Sequence, residues 1–488
     1  MGIDLLANLG FYVPELIVVM TMCFLLFVEA CYKHEEKART MTFIISIIGL
    51  ALTLVTLLLG ADDKPLALFY NAVMIDSFST FIKIILVIGT FGAIILSHQS
   101  KEIYTDLKSE FYALAFGVLL GGMLLASANN MLTVYLGIET LSILSYVLAS
   151  FKRDEAKSTE AGMKYALYGG ISAGIMLFGM SHIYGVLGSI QFAEITNKMS
   201  SLSTGQNVML MVSFVFFFVG LGYKIACFPF HMWSPDVYQG SPIPVTSFFA
   251  IVPKMAGIAV LMRVSEVFFT QNTALSASWV GLLHIVAAMT MTVGNISAIG
   301  QDSVKRMLAY SSIGHAGFML LGVLVMSDTG NSSILFYGTT YLFMTIVAFF
   351  ITAMISDHMG SDSQASFKGL IYKHPWMAIM MAVVMFSLAG MPPFSGFVAK
   401  WNILSVTVSK KYYGLAFIAG INSVIALYYY MRIVKLMIFD SAESDEKISG
   451  FGFLNQLIIA GFTMPVIFLG IFWERLMAIS HGAQIFVK

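Results

Sequence analysis

Residues 220–245 read GLGYKIACFPFHMWSPDVYQGSPIPV, an apolar run that carries Lys224 and then breaks at Pro229. Proline removes a helix hydrogen bond and clashes with the preceding turn. Inside a bilayer, freed backbone groups are tolerated only where protein or water satisfies them. The stretch therefore predicts a broken transmembrane helix, with a polar, hydrated spot at membrane depth and a lysine beside it. A second stretch, SLAGMPPFSGFVAKW at residues 387–401, repeats the pattern with Pro392 and Pro393 before Lys400. In one the lysine precedes the break; in the other it follows. Two interrupted helices of opposed polarity, about five helices apart, predict inverted-topology repeats.

The rest of the chain fits around these two breaks. Its 488 residues are 58% hydrophobic and 11% charged, with a mean hydropathy of +0.84. A soluble protein carries about 25% charged residues, so most of this surface faces lipid. A bilayer core of about 30 Å takes about 20 apolar residues per helix. About fourteen such runs are legible between residues 11 and 476. The fold expected is an all-α polytopic membrane protein of about fourteen transmembrane helices, with two inverted five-helix repeats that each contain a broken helix. Residues 1–109 are read as N-terminal transmembrane helices and 110–268 as the first repeat. Residues 269–302 are read as a connecting helix, 303–437 as the second repeat and 438–488 as a C-terminal helix.

The 27 Lys and Arg are unevenly spread. The groups at Lys33–Arg39, Lys101–Lys108, Lys152–Lys157, Lys305–Arg306 and Arg432–Lys447 all fall in one set of alternate loops. The positive-inside rule puts that set in the cytoplasm. An even number of crossings then leaves both termini on the outer side, which in a bacterial cytoplasmic (inner) membrane is the periplasm. Several function classes drop out. Cys23, Cys31 and Cys227 lie in or near helices and suggest neither a disulfide scaffold nor a metal cluster. No P-loop, Rossmann glycine pattern or Cys-x-x-Cys occurs, and the nine histidines are too scattered for a paired haem site. Any redox centre is expected on other chains, and no nucleic-acid partner is suggested.

Five lysines sit inside the apolar runs: Lys83, Lys164, Lys224, Lys254 and Lys400. A basic side chain at bilayer depth costs about 2.5–3.5 kcal/mol on insertion scales, so five of them ask for a use. Glu139, in VYLGIETLSILSY, adds a carboxylate in mid-helix. Burial and a nearby carboxylate pull a lysine's proton affinity in opposite directions, which suits proton exchange, and Lys224 is the expected partner of Glu139. Lys254, in AIVPKMAGIAV, and Lys400 lie too deep to snorkel. Lys164 is nearer a helix end and reads as a supporting residue. Lys83, outside the repeats, is expected to pair locally with Asp76. His231, just after the first break, and His315, in AYSSIGHAGFML, are relay candidates because imidazole titrates near neutrality. His182 and His284 read as structural. A row from Glu139 through Lys224, Lys254 and His315 to Lys400 would carry protons along the membrane plane. Moving one charge against 100 mV costs about 2.3 kcal/mol, so such a row needs a partner that supplies energy. The bland alternative is a membrane scaffold whose charges serve helix packing alone.

KIACFPFHMWSPDVYQGSPIPVTSFFA (224–250), KRMLAYSSIGHAGFML (305–320), SLAGMPPFSGFVAKW and the Glu139 helix resemble, in order and spacing, the antiporter-like membrane subunits of respiratory complex I. The resemblance covers essentially the whole chain. DVYQGSP with PFHMW resembles the subunit N branch, the bacterial counterpart of mitochondrial subunit 2. This resemblance implies proton translocation coupled to NADH oxidation by quinone. The family's proton residues fall on Glu139, Lys224, Lys254 and Lys400, with supporting positions at Lys164 and His231. It further implies that this chain holds no cofactor, and that NADH, FMN, iron–sulfur clusters and quinone belong to partner subunits. The implied partners are other membrane subunits of the complex, neighbouring antiporter-like subunits included. A subunit of a multi-subunit cation/proton antiporter, or of a membrane-bound hydrogenase, is the related alternative; the DVYQG segment favours complex I.

Overall fold

The computed structural model describes residues 5–32, 36–60, 64–269, 273–441 and 452–486. Lys33 and Lys447, which bound two of the basic groups above, lie outside the described residues. The N-terminal group is α1 (Leu5–Phe11), α2 (Val13–Tyr32), α3 (Glu36–Leu59) and α4 (Ser77–Gln99). A hairpin of β1 (Leu66–Leu68) and β2 (Val73–Ile75) joins α3 to α4. Next come α5 (Lys108–Ala126), α6 (Met131–Ala149), α7 (Ala156–Leu187), the short α8 (Phe192–Lys198), the pair α9 (Thr204–Ile225) and α10 (Trp233–Gly240), and α11 (Ile243–Phe269). The order continues with α12 (Thr273–Ile299), α13 (Val304–Val325), α14 (Asp328–Met359), the one-turn α15 (Leu370–Lys373), the pair α16 (Pro375–Ala389) and α17 (Ser395–Ser409), and α18 (Tyr413–Ile438). α19 (Phe453–Ile471) and α20 (Trp473–Gly482) close it. Thirteen described helices are long and apolar enough to cross a membrane; the interrupted pair α16–α17 makes the fourteenth crossing.

Lipid leaves no water for free backbone groups, and several helix starts meet this demand with side-chain caps. Asp76 and Ser79 form a capping box on α4, and Ser203 and Gln206 form one on α9. Burial sorts the helices into layers. Every residue of α11 but Glu266 is buried, and α13 and α14 are nearly so. α3 instead exposes Ile44, Ile48, Leu52, Val55 and Leu59. Their three- and four-residue spacing is the stripe a lipid-facing helix shows.

The two halves repeat with inverted direction. Asn130 caps α6 and bridges to Gln191 beyond α7; Ser303 caps α13 and bridges to Ser363 beyond α14. The hydrogen bonds match as well. Met131 N–H donates to the Ile190 carbonyl and Phe192 N–H to that of Asn129, just as Val304 donates to Asp362 and Gln364 to Asp302. Both α7 and α14 run 32 residues and end on a left-handed glycine, Gly188 or Gly360. α12 is the fifth crossing after α5, so the matching turns face opposite sides of the membrane. Counted from these caps, Glu139 and Ser312 hold the same helical position, and so do Ser142 and His315.

Candidate functional site

Lys224 sits in the last turn of α9, before the break. Its Nζ donates to Ser142 Oγ of α6 at 3.0 Å and lies 5.7 Å from the Tyr165 ring centroid. Tyr165 stacks on Trp233 at 4.4 Å, and Trp233 Nε1 donates to the Tyr223 carbonyl at 3.0 Å. The break is thus sealed by aromatic rings, and the Tyr223 carbonyl accepts from both Trp233 and the Ala226 N–H that ends α9. The direct Glu139–Lys224 ion pair expected from sequence is not formed. Ser142, one turn along α6 from Glu139, takes the hydrogen bond instead, while the carboxylate stays within Coulombic reach of the amine. Glu139 is half-buried, and its Oε1 has no hydrogen-bond partner.

Lys254 lies one turn from Gly257 on α11, and the Lys224 stem packs against Gly257. A Cβ there would stand 3.5 Å from Lys224 Cγ and 2.8 Å from Ile225 Cγ2. The missing side chain lets α9 and α11 approach, with the Lys224 stem one turn of α11 from Lys254. Lys254 Nζ donates to the Ser312 carbonyl at 2.7 Å and to Ser312 Oγ, which also accepts from Tyr341 OH at 2.8 Å.

Helix α13 then carries the row onward. Ser312, His315 and Phe318 recur every three residues, so they share one face. His315 is held at both nitrogens, Nδ1 to Tyr337 OH at 2.6 Å and Nε2 to Tyr430 OH at 3.1 Å. The Phe318 ring lies 5.1 Å from Lys400 Nζ. Lys400 reaches back across the second break, donating to the Leu388 and Ala389 carbonyls at 3.0 and 2.9 Å. It thereby caps the C-terminal end of α16, the negative pole of that half-helix. Gly390 makes room: its φ is +86°, and a Cβ there would come within 2.8 Å of Lys400 Cδ.

The remaining candidates stand apart from this row. Lys164 is 34% exposed and ion-paired to Glu160 at 2.7 Å and Asp236 at 2.8 Å, at the end of the bundle where α7 and α13 begin. His231 is buried between α9 and α10 against Phe228, with no partner at Nδ1. His182 and His284 each contact a carbonyl one turn back in their own helix. Lys83 does not meet Asp76; it meets Glu15 at 2.6 Å. The Asp76 carboxylate is occupied, capping Ser79 N–H and accepting both Arg263 NH groups at 2.9 and 3.0 Å. Sequence reading missed Ser142, Ser312 and the tyrosines Tyr165, Tyr337, Tyr341 and Tyr430, which look like ordinary packing residues in a helix. It also passed over Asp236, inside the quoted DVYQG, which binds Arg306 at 2.7 Å as well as Lys164.

The family model described as NADH:quinone oxidoreductase/Mrp antiporter, TM, matches residues 128–426. The NADH-quinone oxidoreductase subunit N of Trichlorobacter lovleyi is 39% identical over 440 residues, 90% of this chain and 89% of the relative. That of Bartonella bacilliformis is 38% identical over 494 residues, 100% and 99% of the two chains. Among solved structures, a chain of respiratory complex I from Thermus thermophilus aligns with a TM-score of 0.80 at 28% identity, covering 96% of this chain and 100% of that one. A chain of the Mrp complex from Dietzia sp. shares the fold, with a TM-score of 0.83 at 20% identity and 96% of each chain covered.

Proposed function

The chain belongs to the NADH:quinone oxidoreductase/Mrp antiporter membrane family, and from that premise we propose that Glu139, Lys224, Lys254, His315 and Lys400 form its proton path. The protein is a proton-translocating membrane subunit of an NADH:quinone oxidoreductase. One observation carries the assignment of the path. Lys83 and Lys164 are each locked to a carboxylate, whereas Lys224, Lys254 and Lys400 contact only neutral oxygens: a hydroxyl, a hydroxyl with a carbonyl, and two carbonyls. A counter-ion holds a proton in place; a neutral acceptor serves an amine in either protonation state. Glu139 sets the charge balance at one end, and His315 bridges Lys254 and Lys400 along α13. Lys164 and His231 stand at the margins of the path as supporting groups.

The finer reading follows from this. The chain sits in a bacterial cytoplasmic membrane with both termini outside, so the Lys164–Asp236–Arg306 cluster faces the cytoplasm. Neighbouring antiporter-like subunits flank it, and the redox groups reside on partner chains that supply the energy. A five-crossing second repeat requires α12, so we place its start there rather than at residue 303. The cation/proton antiporter reading shares the fold, but the curated relatives, at 34–39% identity, carry the oxidoreductase name. Replacing Lys224 by Ala in the intact complex should preserve assembly and cut NADH-driven proton pumping. Normal pumping by an assembled variant would remove Lys224 from the path.

A further inference from the structure

A second buried charge pair lies outside the proton path. Glu15, in the first turn of α2, meets Lys83 of α4, and the two side chains are only 1% and 3% exposed. Isolating two charges from water is costly, and α1–α4 belong to neither repeat. The pair lines a cavity of about 520 Å³, walled by Phe11, Val13, Leu57, Leu59 and Leu66, with the exposed Lys64 on its edge. That is the size of a small-molecule site, which runs from roughly 300 to 1,000 Å³.

The Glu15 carboxylate is only half engaged. Oε1 is ion-paired to Lys83 without hydrogen-bond geometry, and Oε2 is buried with no partner of either kind. A carboxylate accepts at both oxygens, and a buried acceptor left open is destabilising. The Tyr12 hydroxyl nearby is also unpartnered and makes no hydrogen bond to Glu15, so an occupant that brings a donor would satisfy the carboxylate. The site lies where α2 starts and α3 ends, so it sits at the depth of lipid head groups, and Phe11 and Leu59 continue its wall onto the lipid-facing surface. A cationic donor for Glu15, an anion for Lys64 and an apolar body for the wall describe one class of molecule. We propose that this cavity binds a zwitterionic aminophospholipid, phosphatidylethanolamine, with its ammonium on Glu15, its phosphate on Lys64 and an acyl chain along Leu57 and Leu59.

Phosphatidylcholine is the discriminating probe: it shares the phosphate and chains but has no N–H to donate. The intact complex would be reconstituted in phosphatidylethanolamine or phosphatidylcholine vesicles of equal phosphatidylglycerol content, then gently extracted, and its retained lipid measured by mass spectrometry. A photoreactive phosphatidylethanolamine would map contacts. The expected result is retention of phosphatidylethanolamine over phosphatidylcholine by roughly tenfold, the ratio for one charge-assisted hydrogen bond, with crosslinks near Phe11–Glu15. The double variant Glu15→Gln/Lys83→Met, which leaves no orphan charge, should lose that preference, and Lys64→Ala, an exposed change, should weaken it. Equal retention of the two lipids, an unchanged preference in either variant, or crosslinks blocked by a neighbouring subunit would each overturn the proposal.

Discussion

At the scale of single residues, what surrounds a buried lysine decides what it does. Removing one partner of a buried ion pair strands the other, at a cost of about 3–5 kcal/mol. Lys83→Met strands Glu15, whereas Lys254→Met strands no charge, because Lys254 faces only Ser312. The expected outcomes are opposite: Lys83→Met lowers the yield and melting temperature of the complex, while Lys254→Met assembles and stops pumping. Assembly on gels and acidification of inverted vesicles separate the two. Gly390 tests geometry rather than charge. A left-handed conformation costs an L-residue about 1–2 kcal/mol, and the methyl of Gly390→Ala would collide with the Lys400 stem, 2.8 Å away. The amine then leaves the α16 carbonyls, and NADH-driven pumping should fall with the complex still assembled. Full pumping would mean that Lys400 works without that contact.

At the scale of elements, the breaks were legible because proline chemistry is local. Pro229 lies in the gap between α9 and α10, and Pro392–Pro393 in the gap between α16 and α17. The hydrogen-bond partners were not legible, because serine and tyrosine in mid-helix carry no positional signal until another helix is packed against them. The Lys83–Asp76 reading failed for the same reason: sequence proximity suggested Asp76, but packing offered Glu15 and gave Asp76 to Arg263. The inverted register adds a prediction. Ser312 holds the place on α13 that Glu139 holds on α6, so the second repeat presents Lys254 with a hydroxyl where the first has a carboxylate. Ser312→Ala removes the hydroxyl shared by Lys254 and Tyr341 but leaves the backbone carbonyl. Assembly should survive and the pumping rate should drop severalfold; Ser312→Thr, which keeps the hydroxyl, should restore most of it. Loss in both variants would point to packing instead.

At the scale of the whole molecule, the crossing count and the positions of both breaks were readable from hydropathy and proline, while the joint between the repeats was not. That joint is Asp236 on α10. One carboxylate oxygen takes Lys164 of α7 at 2.8 Å; the other takes Arg306 of α13 at 2.7 Å, and Arg306 also reaches Gln239 at 2.8 Å. A single anion therefore ties the second half of the first broken helix to both repeats. The cluster is partly exposed, so its contribution to stability is modest. Its leverage is positional, because α10 adjoins the break that holds Lys224. Asp236→Asn leaves Arg306 facing a neutral amide and Lys164 with Glu160 as its remaining carboxylate, so the tie between α7 and α13 loosens. The expected outcome is an assembled complex with a near-normal melting temperature but fewer protons moved per NADH oxidised, increasingly so as salt is lowered and screening weakens. Asp236→Glu keeps the charge and should recover most of the ratio. A proton-to-NADH ratio in Asp236→Asn equal to that of the parent at every salt concentration would make the joint a passive brace.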